Sequence, residues 1–195
     1  MRTATIERKT KETCIRVELN LDGTGQYEIS TGIGFFDHML TQIAVHGLFD
    51  LTVQAKGDLE IDAHHTIEDT ALVLGAAFKQ ALGDRRGITR MASAFVPMDE
   101  ALGQVIIDFS GRPYSVLNIP WSYPMVANIP TSLIEHFFES FAVASMSNVH
   151  VISHYGRDNH HIAEAVFKAF ARALAVASRI DPRRADAIPS SKGVL

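Results

Sequence analysis

Among 195 residues there is one cysteine, Cys14. That excludes an internal disulfide framework and a zinc site built on several thiolates. No apolar run approaches the roughly 18 residues that a membrane span requires. The opening stretch, MRTATIERKT, lacks the apolar segment of a signal peptide. Charge of one sign is not in excess: 18 Lys and Arg stand against 22 Asp and Glu, a net charge of −4. Nothing in that balance points to nucleic acid or to an anionic membrane. A soluble, cytoplasmic protein is the expectation. Apolar residues, by contrast, make up 47% of the chain, enough to bury a core. Nine histidines are present, and two adjacent pairs, His64-His65 and His160-His161, suggest a collective task for imidazole.

Residues 3–8 and 13–19 alternate as strands do, a glycine turn follows at Leu21-Asp22-Gly23-Thr24-Gly25, and 26–30 can return as a third strand. Phe36, Met39, Leu40 and Ile43 follow the helical period over 35–47, and 51–55 returns to strand. Asp62 is placed to cap a helix over 63–82, with Ile67, Ala71, Leu74, Phe78 and Leu82 as its apolar stripe. After Gly87 the order repeats. Strands are expected at 89–96, 103–109 and 114–119, a helix at 131–146, a strand at 149–153, and a helix capped by Asp158 that runs to Ser178. The fold class that follows is α+β: an internal duplication of a βββαβα unit, giving two four-stranded sheets with two helices each in one compact subunit. The expected organisation is a first half-repeat over 1–86, a second over 87–187, and a tail over 188–195.

The duplication is sharpest where the histidines lie. Asp62-Ala63-His64-His65-Thr66-Ile67-Glu68 and Asp158-Asn159-His160-His161-Ile162-Ala163-Glu164 share the pattern D-x-H-H-x-x-E. On a helix the first histidine and the glutamate are neighbours at i, i+4, and the second histidine and the glutamate at i, i+3. Adjacent histidines point about 100° apart on a helix, so one pair serves two ions more readily than one. His38 and His136 add one more imidazole to each half. Six histidines and two glutamates, with no thiolate, suit two ions of Mn, Fe, Co or Zn. A solvated helix start is the common explanation for a lone H-H-x-x-E, but it does not account for the matched duplication. His46 reads as a cation at a helix C-terminus, and His150 and His154 as the exposed face of a strand.

Arg90, Arg112 in the turn Ser110-Gly111-Arg112-Pro113, and Ser190-Ser191-Lys192 in the tail offer guanidinium, hydroxyl and ammonium groups suited to a phosphate. Arg85, Arg86, Arg183 and Arg184 read as surface charge. Trp121 and Tyr123 read as exposed residues of a subunit contact.

These stretches, together with Arg8-Lys9-Thr10-Lys11-Glu12-Thr13, His46-Gly47-Leu48-Phe49-Asp50, Pro97-Met98-Asp99-Glu100-Ala101-Leu102 and Pro189 to Leu195, make the chain resemble the imidazoleglycerol-phosphate dehydratase family of histidine biosynthesis from end to end. The resemblance implies loss of water from D-erythro-imidazole glycerol phosphate to give imidazole acetol phosphate. It implies two Mn2+ ions per active site, held by His38, His64, His65, Glu68, His136, His160, His161 and Glu164. It implies a phosphate held by Arg90, Arg112, Ser190, Ser191 and Lys192, with Glu12, Gln42 and Lys168 also facing substrate. A homo-oligomeric shell of 24 subunits, with sites shared between neighbours, is implied as well.

The chemistry asks for such groups. The proton to be removed has no adjacent carbonyl and is poorly acidic. A metal on a ring nitrogen makes the imidazole a better electron sink, and an imidazolate can expel the C3 hydroxyl through a diazafulvene-like species. A base must take the C2 proton, and an acid must protonate the departing hydroxyl. Glu12 is one expected proton carrier, with Glu68, Glu164 or a metal-bound water as the other. Two other readings stay open on sequence: a metal-storage shell, which needs no phosphate clamp, and a metal-dependent phosphate-ester hydrolase, which would release inorganic phosphate. The ligands alone do not choose among Mn, Zn and Fe.

Overall fold

A computed structural model describes residues 1–184 and 186–195. Alternating burial drives β1 (Thr3–Lys9) and β2 (Thr13–Asn20), while β3 (Tyr27–Ser30) is mostly exposed, with Ile29 alone packed against the core. In β2, Ile15, Val17 and Leu19 face inward while Arg16 and Glu18 face water. Helix α1 (Gly34–Gly47), strand β4 (Asp50–Gly57) and helix α2 (His64–Leu82) complete the first half. The second half runs β5 (Met91–Met98), β6 (Ala101–Asp108), β7 (Tyr114–Asn118), a short hairpin β8 (Met125–Val126) and β9 (Ile129–Pro130), α3 (Thr131–Ser145), β10 (Asn148–Tyr155) and α4 (Asn159–Ser178).

The sheets have the orders β1-β2-β4-β3 and β5-β6-β10-β7. β3 joins β4 in parallel and β7 joins β10 in parallel, while the other pairs are antiparallel. Position for position, the two sheets repeat one topology. The small β8–β9 hairpin, which has no counterpart in the first half, was not expected from the sequence. Its two-residue strands are too short to show a period.

Helix α2 covers β1 and β2, and α4 covers β5 and β6. The helices then pair across the halves, α1 on α4 and α2 on α3. The four helices form a layer between the two sheets. Every residue of the expected α2 stripe is buried. Phe137, Phe138, Phe141, Phe167 and Phe170 fill the seam with mostly edge-to-face or tilted contacts at centroid separations of 4.9–6.3 Å. Gly75 lets α2 and α3 close up: a Cβ there would stand 2.8 Å from Phe141 O and 2.8 Å from the Ala144 Cβ. No described helix is long and apolar enough to cross a membrane.

Three local expectations are corrected. Arg85 is buried, not surface charge: its guanidinium donates to Phe109 O and Ser145 O, each at 3.1 Å, and burial pushes its pKa down. Carbonyls left open just after β6 and at the end of α3 create a place for it. Trp121 is half-buried against the core, with Nε1 donating to Glu135 Oε1 at 2.8 Å, although Tyr123 is exposed as expected. His46 is not favoured as a cation, because burial and the positive charges of Lys168 and Arg172 push its pKa down, outweighing Glu164.

Candidate metal centre

The cross-half helix pairing decides which ligands meet. Because α1 packs on α4, His38 reaches His160 and Glu164; because α2 packs on α3, His136 reaches His64 and Glu68. Each triad takes a histidine and a glutamate from one D-x-H-H-x-x-E segment and its other histidine from the opposite half. Within each triad the donor atoms all lie within 4.8 Å of one another.

In the first triad, Glu164 Oε2 lies 3.0 Å from His38 Nε2 and 3.2 Å from His160 Nε2. Lys168, one turn further along α4, places Nζ 2.6 Å from the other oxygen, Oε1. Burial of Glu164 opposes its ionisation, yet the hydrogen bonds and charges of Lys168 and His38 outweigh it and hold the carboxyl at about 2. Gln42 is buried beneath this triad, its Nε2 3.3 Å from His38 Nδ1. Phe35 packs edge-on against the His160 ring at 5.1 Å.

In the second triad, Glu68 lies 3.5 Å from His64 Nε2 through one oxygen and 3.5 Å from His136 Nε2 through the other. His136 Nε2 is buried and has no hydrogen-bond partner. An orphaned imidazole nitrogen aimed at a carboxylate and a second imidazole is a donor set that lacks its acceptor. Ligands about 2.1 Å from a tetrahedral ion stand roughly 3.4 Å apart, close to both spacings. These residues fit a divalent transition metal.

His65 and His161 stand outside the triads. His65 Nδ1 is 3.0 Å from Asp58 Oδ2, and His161 Nδ1 is 2.6 Å from Glu100 Oε2. Both imidazoles are pushed up in pKa, chiefly by those hydrogen bonds. The expected 100° divergence of adjacent histidines is realised as this split between triad and carboxylate. Asp62 and Asp158 each accept from the first histidine's N–H at 2.7 Å, so both helix starts are tied as the sequence suggested. Helix α2 begins a residue later than expected, at His64.

Glu12 sits in the β1–β2 turn, which is tethered to α2. Thr13 Oγ1 donates to Asp69 Oδ2 at 2.5 Å, and Arg8 donates to the same oxygen at 3.0 Å. Asp69 is the residue after Glu68. The tether brings Glu12 near enough to His65 to contribute to its raised pKa.

The expected phosphate groups are divided. Arg90 is committed to the protein, with Nε and one terminal nitrogen on the Asp108 carboxylate at 2.7 and 3.0 Å and the other on Pro189 O at 2.8 Å. It therefore anchors the tail. Arg112 is exposed on its turn. Gly111 in that turn lies against Leu195, because a Cβ there would stand 2.8 Å from the Leu195 carbonyl carbon. The turn of Arg112 and the tail of Ser190, Ser191 and Lys192 are thus neighbours, with Ser191 and Lys192 exposed. Asp58, Glu100, Glu139 and Asp69 were missed as site residues. Glu139 was the most legible of them, three residues after His136 on one helix.

The family model described as imidazoleglycerol-phosphate dehydratase matches residues 31–174. An imidazoleglycerol-phosphate dehydratase of Gluconacetobacter diazotrophicus is 57% identical over 194 residues, covering 100% of this chain and 98% of its own length. One from Streptomyces griseus is 56% identical over 195 residues, covering 100% and 98%. Among solved structures, the enzyme of the same name from Pyrococcus furiosus is similar with a TM-score of 0.85 and 34% identity, over 97% of this chain and 100% of that one. That from Staphylococcus aureus has a TM-score of 0.81 and 33% identity, over 90% and 97%.

Proposed function

The chain belongs to the imidazoleglycerol-phosphate dehydratase family, hydro-lyases of histidine biosynthesis that act on a small molecule, and we propose that it dehydrates D-erythro-imidazole glycerol phosphate to imidazole acetol phosphate on a centre of two divalent ions. The observation that carries the reading is the pair of cross-half triads, with the orphaned Nε2 of His136 in one of them. His38, His160 and Glu164 would hold one ion, and His64, Glu68 and His136 the other. His65 and His161 supply one further imidazole each, and Mn2+ is the ion the family resemblance favours. When bound, such an ion withdraws electron density from the substrate's imidazole ring.

The residues of the chain do the rest. Glu12, held over α2 by the Thr13 and Arg8 contacts to Asp69, carries a proton between the substrate carbon and solvent or the departing hydroxyl. Lys168 keeps Glu164 ionised and therefore able to act as a ligand. Gln42 packs beside the His38 ring, its amide donating to His38 O at 3.2 Å. Arg112, with Ser190, Ser191 and Lys192, takes the phosphate, while Arg90 holds the tail in reach of it. That phosphate site lies on the second half and its end, in keeping with 188–195 as a substrate-binding tail after the half-repeats 1–86 and 87–187. His65 and His161 stand outside their own chain's triads, which favours a homo-oligomer, such as a shell of 24, in which neighbours share sites.

Incubating the Mn2+-loaded chain with the imidazole substrate tests this reading. Formation of the keto phosphate without inorganic phosphate supports it, while release of inorganic phosphate would assign a hydrolase instead. Arg112→Ala should raise KM about tenfold or more.

A further inference from the structure

In the triads, every histidine presents Nε2 to a carboxylate of its triad. Where a carboxylate outside the triad touches one of these rings, it does so at the other nitrogen: Glu139 Oε2 lies 3.3 Å from His136 Nδ1. His65 and His161 likewise hydrogen-bond through Nδ1, to Asp58 and to Glu100, and the exposed Asp99 carboxylate, 3.8 Å from His161 Nε2, lies beyond hydrogen-bond distance.

The two histidines are equivalent in the duplication, but their carboxylates are not. Asp58 follows β4, whereas Glu100 lies in the β5–β6 turn. The 96-residue offset between the repeats puts His154 opposite Asp58 and Ala4 opposite Glu100. Two unrelated positions of the chain therefore supply one contact to one ring atom. Descent from a common repeat does not explain that coincidence, and a shared requirement does.

We infer that Asp58 and Glu100 are positioning residues that hold His65 and His161 by Nδ1 and leave Nε2 without a hydrogen bond, available as a ligand atom. The inference rests on the proposed ligand role of these histidines. A neutral imidazole has one N–H, and the nitrogen that lacks it is the one able to ligate. A carboxylate accepts only, so it fixes the proton on Nδ1. Such partners typically carry 10- to 100-fold in metal affinity.

The two holds differ in a way that can be measured. Glu100 Oε1 accepts from the backbone N–H of Arg157 at 3.1 Å and of Asp158 at 2.9 Å, while Oε2 faces His161. In Glu100→Gln those two N–H groups claim the amide oxygen, so the amide NH2 faces Nδ1 and forces the proton to Nε2. For Asp58, the only side-chain hydrogen bond found among the described residues is to His65. In Asp58→Asn the amide can turn its oxygen to Nδ1 and keep the native tautomer.

The test is Mn2+ binding to the full chain, with free ion counted by electron paramagnetic resonance, and solid-state 15N NMR of histidine-labelled, metal-free protein. Glu100→Gln should weaken one class of Mn2+ site about 10- to 100-fold and move one histidine proton from Nδ1 to Nε2. Asp58→Asn should stay within about threefold of native, and Asp58→Leu should match Glu100→Gln in affinity. Native affinity and native tautomer in both Glu100→Gln and Asp58→Leu would overturn the inference alone. A native chain that takes up no Mn2+ would overturn the ligand reading and this inference with it.

Discussion

His38 and Glu164 are 126 residues apart in the chain, and their Nε2 and Oε2 atoms are 3.0 Å apart. The contact exists because α1 of one half lies on α4 of the other. The mirror contact, His136 with Glu68, exists because α3 lies on α2. Each half builds its sheet from its own strands, and each ligand set is completed by a histidine from the other half's helix.

Glu12→Gln should leave the metal content at the native value and lower turnover about 100-fold or more, the usual contribution of a positioned proton carrier. Steady-state kinetics beside metal analysis checks this. Turnover within threefold of native would make Glu12 a binding residue only.

Arg85→Met should lower the free energy of unfolding by about 2–4 kcal/mol, since Phe109 O and Ser145 O lose a charged donor in a buried place. Urea denaturation measures it. A loss under about 0.5 kcal/mol is what an exposed arginine would give.

Asp181, after α4, accepts from the side chain and backbone N–H of Arg183, which hold its carboxyl at about 2. In the unfolded chain it returns to about 4. A depressed pKa stabilises the fold fully above the unfolded value, and the contribution is lost as pH falls from about 4 towards 2. The native Tm should therefore fall more steeply across that window than the Tm of Asp181→Asn. Parallel curves would show that the pair adds nothing.

Much of this was legible in the sequence because periodicity and repetition are local signals. Ile67, Ala71, Leu74, Phe78 and Leu82 mark a buried stripe on any helix, and the repeated D-x-H-H-x-x-E marks both ligand segments. Which segment meets which histidine was not legible. It depends on the pairing of α1 with α4 and α2 with α3, a tertiary choice that leaves no period in the chain. Arg85 was misread for the same reason. Its burial comes from carbonyls 24 and 60 residues away, not from its polar neighbours Asp84 and Arg86. Asp58 and Glu100 escaped notice because each lies in a turn, where a carboxylate is ordinarily solvated.

The measurement closest to the central claim is a metal count on the purified chain and two variants. With one ion on each cross-half triad, the native chain should hold two ions, and His38→Ala and His136→Ala about one each. Variants that both retain two ions would contradict the triads as metal sites.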